Sequence, residues 1–214
     1  QLTSQNLNNN DFPWLKGKEI VINKTPVRAL RVNYVGELGW ELHHPMNQME
    51  TLYDSIYEAG KKENIINFGT YAVNSLRMEK AYRGWGAELT GEISLVEAGM
   101  DRFFDLKKKN NFFGATALQK KIQSGVDIKI VYLEVDADNA DARGNEPVYH
   151  NNKIVGVVTS GGYGFRTKKS LAFAYVKSDL AYGVNLEIEI QGQRRKTKIL
   201  DKVVYDPDNQ KLKA

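Results

Sequence analysis

The sequence predicts an α+β region followed by an all-β region, with the change near Gly125. Three observations carry this reading. Apolar residues recur at three-to-four spacing in runs before residue 83. Short strand-like segments divided by Gly, Asn and Asp fill residues 128–204. A chain of 214 residues can bury a substantial core, as one large domain or two small ones. We therefore expect one domain portion over 1–125 and a second over 126–214.

Residues 19–23 and 27–35 alternate or cluster apolar side chains as strands do. Gly36-Glu37-Leu38-Gly39 breaks the pattern and Trp40-Glu41-Leu42-His43 resumes it, which reads as a hairpin. Met46, Met49, Leu52, Tyr53, Ile56 and Tyr57 share one helical face, and Ala59-Gly60 supplies a stop. A second helix is expected over 70–82 from Val73, Leu76, Met78 and Tyr82, ended by Gly84-Trp85-Gly86. Residues 93–99 and 114–123 read as shorter helices, the latter closed by Gly125. Ile128–Val135, Pro147–Tyr149, Ile154–Thr159, Ser170–Val176, Leu186–Ile190 and Lys196–Val204 then read as strands of an antiparallel sandwich or barrel. Ser160-Gly161-Gly162-Tyr163-Gly164 follows a strand without opening a helix, so a wide turn is expected rather than a dinucleotide loop.

Composition narrows the function classes. Hydrophobic residues are 42% and charged residues 26%, the range of an ordinary globular protein. A formal charge of +4 without a long basic run does not argue for nucleic acid and suits a small anionic ligand equally well. Cysteine is absent, which excludes disulfides, thiolate metal sites and a Cys nucleophile within these residues. With three histidines a His-based zinc site is not expected, and no apolar stretch approaches the ~18 residues of a membrane span. There is no P-loop, nucleophile elbow or HExxH motif. The first residue is Gln and the opening is polar, so the chain is expected to be a piece of a longer protein.

Four segments are more distinctive. They are Arg31-Val32-Asn33-Tyr34-Val35-Gly36-Glu37-Leu38-Gly39-Trp40-Glu41-Leu42, the stretch from Phe68 to Gly86 with Leu76-Arg77-Met78-Glu79, Val158–Tyr163, and Ser170–Val176. Together and in this order the chain resembles the glycine-cleavage T-protein (aminomethyltransferase) family over essentially its whole length. It is most similar to the branch that forms the folate-binding C-terminal module of dimethylglycine and sarcosine dehydrogenases. The resemblance implies part of a folate-binding domain followed by a C-terminal antiparallel β-barrel.

The resemblance also implies tetrahydrofolate as cofactor, with the pterin held by Tyr34 and Glu41 and a further aromatic contact from Tyr82. The chemistry is coherent: a pterin offers a ring N–H beside an exocyclic amine, and a carboxylate accepts both in a charge-assisted fork. Taken alone, Glu41 reads as an exposed strand carboxylate and Tyr82 as a core or rim residue. Glu37, on the loop itself, is expected to change folate affinity little when replaced by Gln. Arg77 and Glu79 are expected to be structural. T-proteins proper carry an arginine four residues before the helix arginine, where this chain has Val73, so that contact is not carried over.

The family's catalytic aspartate belongs to an upstream part of the module, and Asp11 in its polar leader is no convincing substitute. No residue of this chain is therefore expected to be catalytic. The partners implied are folate, a methylated amine donor and the missing N-terminal part of the same protein, which would carry any FAD. Neither nucleic acid nor membrane is expected as a partner. The implied location is cytoplasmic, or the mitochondrial matrix in a eukaryote. A stand-alone glycine-cleavage aminomethyltransferase fragment and a non-catalytic folate-binding regulatory protein are the alternatives. The latter typically carry a Lys-Gly-Cys motif, which a chain without cysteine lacks.

Overall fold

The structure, a computed structural model, describes residues 2–108, 112–180 and 183–214. The chain forms two compact units: Gln1–Lys80 with Tyr205–Ala214, and Ala81–Val204.

In the first unit, β1 (Gly17–Ile22), β2 (Thr25–Leu30) and β3 (Glu41–His43) form an antiparallel sheet in that order. Asn23 and Lys24 link β1 to β2, both with positive φ, as a primed two-residue hairpin turn requires. The period of two along each strand sends Ile20, Ile22, Val27 and Ala29 to one face. That face packs with Phe12 and with Leu52 of α1 (Met49–Gly60). A second helix, α2 (Thr70–Glu79), buries Met78 and Glu79 completely.

The strand expected over 27–35 ends at Leu30, because Asn33 draws the backbone into a turn. Its Oδ1 accepts the amides of Val35 (2.9 Å) and Gly36 (2.8 Å), and its Nδ2 donates to the Glu37 carbonyl. A side chain thus takes the backbone groups that a ladder would have used.

The second unit holds α3 (Ala115–Ser124) and a closed six-stranded barrel. Its strands are β4 (Ile128–Val135), β5 (Pro147–His150), β6 (Lys153–Gly164), β7 (Lys169–Lys177), β8 (Leu186–Ile190) and β9 (Gln193–Ile199). They pair antiparallel in the order β4-β7-β6-β5-β8-β9, and β9 returns to β4 through Leu133↔Ile199. Leu133, Val148, Ala172, Ala174 and Ile188, each 0% exposed, fill the interior. Between a sandwich and a barrel the chain thus forms the barrel, which leaves no unpaired sheet edge.

Two local expectations are revised. Residues 93–99 make one turn rather than a helix: Ala98 N donates to Ser94 O, and Gly99 turns left-handed at φ +59°. The glycines at 161 and 162 lie inside β6, opposite Ala172 and Leu171, and are not a wide turn. A Cβ on Gly161 would lie 2.4 Å from the Ala142 carbonyl oxygen, so glycine admits a crossing backbone here. Gly161→Ala is expected to lower the stability of this unit by about 1–3 kcal/mol. An unchanged urea midpoint would contradict that.

Candidate functional site

The β2–β3 hairpin positions two of the three expected ligand residues. Glu41 opens β3 opposite Leu30 in the ladder. Leu42 and Trp40 pack against the first unit's core, so alternation turns Glu41 and His43 the other way, and both are exposed. Glu41 Oε2 lies 3.3 Å from His43 Nε2. With both side chains more than half exposed, this pair holds the carboxylate only weakly and leaves it accessible. Tyr34 lies in the connection between the strands, inside the turn that Asn33 closes, and is 38% exposed. The hairpin therefore carries an accessible aromatic ring and an accessible carboxylate.

Glu37 has a partner within the first unit. Its Oε1 accepts the Tyr205 hydroxyl at 2.6 Å, so the loop carboxylate that sequence reasoning set aside is an anchor.

Tyr82 belongs to the second unit and is half-buried. The segment around it is knotted onto the barrel. Arg83 lies over the Phe173 ring, 5.2 Å from its centroid, and donates to the carbonyls of Ala81 (2.8 Å) and Ala98 (3.2 Å). Burial, and then the charge of Arg102, hold the Arg83 guanidinium below its ordinary pKa. Glu88, 0% exposed, accepts Gly84 N at 2.7 Å, Thr159 Oγ1 at 2.6 Å and Ser160 Oγ. The Tyr175 hydroxyl donates to the Glu88 carbonyl at 2.8 Å.

Burial, followed by the Glu88 charge, pushes Tyr175 up to about 12 from its ordinary 10.0. The folded state therefore favours the neutral phenol. Its contribution is complete below pH 10.0 and is lost as pH rises toward about 12. Near-ultraviolet circular dichroism should show the second unit weakening across that window. Tyr175→Phe should flatten the slope, and an equally steep loss in the variant would refute the linkage.

The neighbouring residues behave as framework. Arg77 is buried and donates from Nε to Asn74 Oδ1 at 3.0 Å, and Glu79 is 0% exposed. Val73, where T-proteins proper have arginine, is half-buried. Among the described residues, no group of His, Asp or Glu could hold a metal, and no helix is long and apolar enough to cross a membrane.

Two family models match the chain: the GCVT N-terminal domain over residues 1–108 and the glycine cleavage T-protein C-terminal barrel domain over residues 129–206. Human mitochondrial dimethylglycine dehydrogenase is 40% identical over 99% of this chain, which spans 25% of that protein. Mouse mitochondrial sarcosine dehydrogenase is 32% identical over 97% of the chain and 23% of its own length. An aminomethyltransferase from a Geobacillus species is 31% identical over 94% of the chain and 56% of its own length. The crystal structure of aminomethyltransferase T of the glycine cleavage system from Bartonella henselae shares the fold with a TM-score of 0.81, at 22% identity, over 92% of this chain and 54% of that one. The chain thus spans about a quarter of the length of the dehydrogenases it matches. With both of these family models matched in chain order and the barrel closed as the second describes, the chain belongs to the glycine cleavage T-protein family.

Proposed function

We propose that this chain is the tetrahydrofolate-binding portion of an amine-demethylating enzyme of the dimethylglycine or sarcosine dehydrogenase type. The observation that carries the reading is the β2–β3 hairpin, which presents the Glu41 carboxylate and the Tyr34 ring to solvent in a chain of this family. Higher identity to the dehydrogenases than to the aminomethyltransferase, 40% against 31%, favours that branch over a stand-alone T-protein.

Bound tetrahydrofolate supplies the nitrogens that take up a one-carbon unit. The residues present suit it. Glu41 offers two anionic acceptors for the pterin's adjacent N–H donors, and Tyr34 offers a ring face. Tyr82 is the third proposed contact, on the family resemblance; the bonds of Arg83 and Glu88 hold its neighbours Ala81 and Gly84. These residues bind and orient. The carboxylate that steers the carbon, and any FAD that oxidises the amine, are assigned to an upstream part of the same protein. The division near Gly125 into a folate-domain portion and a barrel belongs to this reading, as does a mitochondrial matrix or cytoplasmic location.

Binding groups alone supply only part of a catalytic rate, since the reacting carbon must also be positioned and its charge managed. The chain assayed with dimethylglycine or sarcosine and tetrahydrofolate is therefore expected to show no turnover at an enzyme-like rate. Turnover without an added subunit would overturn the assignment of the steering group elsewhere.

A further inference from the structure

The ten residues Tyr205–Ala214 return to the unit that contains the β2–β3 hairpin, far from it in sequence. They are tied to its connection at two points. At the first, the Tyr205 hydroxyl donates to Glu37 Oε1 at 2.6 Å, while the Tyr205 amide donates to the Glu79 carbonyl at 3.2 Å. At the second, Lys80 runs beneath Gly36 so closely that a Cβ there would lie 2.3 Å from Lys80 Cγ. The Lys80 ammonium, 2% exposed as a residue, donates to the Asp206 carbonyl at 2.7 Å and to Asn209 Oδ1 at 2.8 Å.

The Asp206 carboxylate meanwhile accepts the amides of Gln210 (2.8 Å) and Lys211 (2.9 Å), which fixes the turn that presents those acceptors. A buried ammonium is tolerated only where such partners are in place. Gly36 and Glu37 lie two and three residues after Tyr34. The connection that carries Tyr34 is thus held from within by Asn33 and from outside by the C-terminal segment.

We infer that Tyr205–Asn209 is a latch that positions the Tyr34–Glu41 connection for its ligand, with Tyr205, Glu37 and Lys80 as positioning residues. The identity of that ligand rests on the folate reading; the latch itself does not. A connection already ordered when the ligand arrives loses little conformational freedom on binding, and the latch supplies that order from a residue 168 positions away in sequence.

The test uses the full 214-residue chain with Tyr205→Phe, Glu37→Ala and the double variant, since a glutamine at 37 would keep an oxygen able to accept the Tyr205 hydroxyl. Two readouts are taken: hydrogen exchange at the Val35 and Gly36 amides, and the Kd for tetrahydrofolate. Each single variant is expected to speed exchange at those amides, and to raise Kd, by about threefold to tenfold, with the double variant no worse than the singles because both remove one bond. Exchange in β1 and the barrel should not change, which a general loss of stability would not reproduce. Unchanged exchange at Val35 and Gly36 overturns the latch. Faster exchange with unchanged Kd, in a protein where Glu41→Gln does lose affinity, overturns the positioning role and leaves the folate reading standing. If Glu41→Gln also leaves Kd unchanged, the folate site is misplaced and the positioning inference falls with it.

Discussion

Replacing Glu41 by glutamine is expected to weaken tetrahydrofolate binding on the order of tenfold to a hundredfold, since hydrogen bonds to charged groups contribute roughly 1.5–3 kcal/mol. The substitution keeps the side chain's shape and exchanges one anionic acceptor for an amide donor. That donor would face the pterin's own N–H groups inside a partly desolvated contact. Glu41 is exposed and its His43 pair is weak, so thermal stability should hardly change while affinity falls. Glu37→Gln cannot serve as the control, because Glu37 accepts the Tyr205 hydroxyl. Glu19 on β1 is suitable: its side chain is 81% exposed and pairs with the exposed Arg28 across the strand register. Equal losses for Glu41→Gln and Glu19→Gln would indicate a general charge effect rather than a fork onto the ligand.

The largest expected effect on stability is at Glu88. Glu88→Ala removes the acceptor shared by Gly84 N, Thr159 Oγ1 and Ser160 Oγ in the interior of the second unit. Each buried donor left without a partner costs about 1–3 kcal/mol, and a cavity adds to that. The sum is expected to lower the Tm of this unit by on the order of 10 °C. Glu88→Gln should lose less, because it keeps one acceptor and the volume. The segment that carries Tyr82 should loosen at the same time, visible as faster amide exchange at Gly84. A Tm within two or three degrees of wild type for Glu88→Ala would show that the knot is not a principal support of the barrel.

Much of the barrel was legible in the sequence because its strands obey a local rule. Ile128–Val135 and Leu186–Ile190 alternate or cluster apolar residues between turn-forming ones, and the observed β4 and β8 have those bounds. Local rules failed where a single contact distant in sequence or a side chain decides the backbone. Asn33 ends β2 early, although Arg31–Val35 reads as strand. Gly161 is a strand residue, although its neighbours read as a turn, because the Ala142 backbone lies against it.

For the candidate site, Tyr34 and Glu41 were reached through the family resemblance, and periodicity alone would have left Glu41 an ordinary surface carboxylate. Glu88 carries no local signal at all. Its partners Thr159 and Ser160 lie 71 and 72 residues away, and only the fold brings them together. The return of Tyr205 to Glu37 was hidden for the same reason.

The most direct measurement of the central claim is a crystal structure of the intact module with tetrahydrofolate bound. The pterin ring N–H and exocyclic amine should both point at the Glu41 carboxylate at hydrogen-bond distance, about 2.7–2.9 Å, with the Tyr34 ring against the pterin face. A pterin bound away from the β2–β3 hairpin, with Glu41 still facing His43 and solvent, would contradict the account.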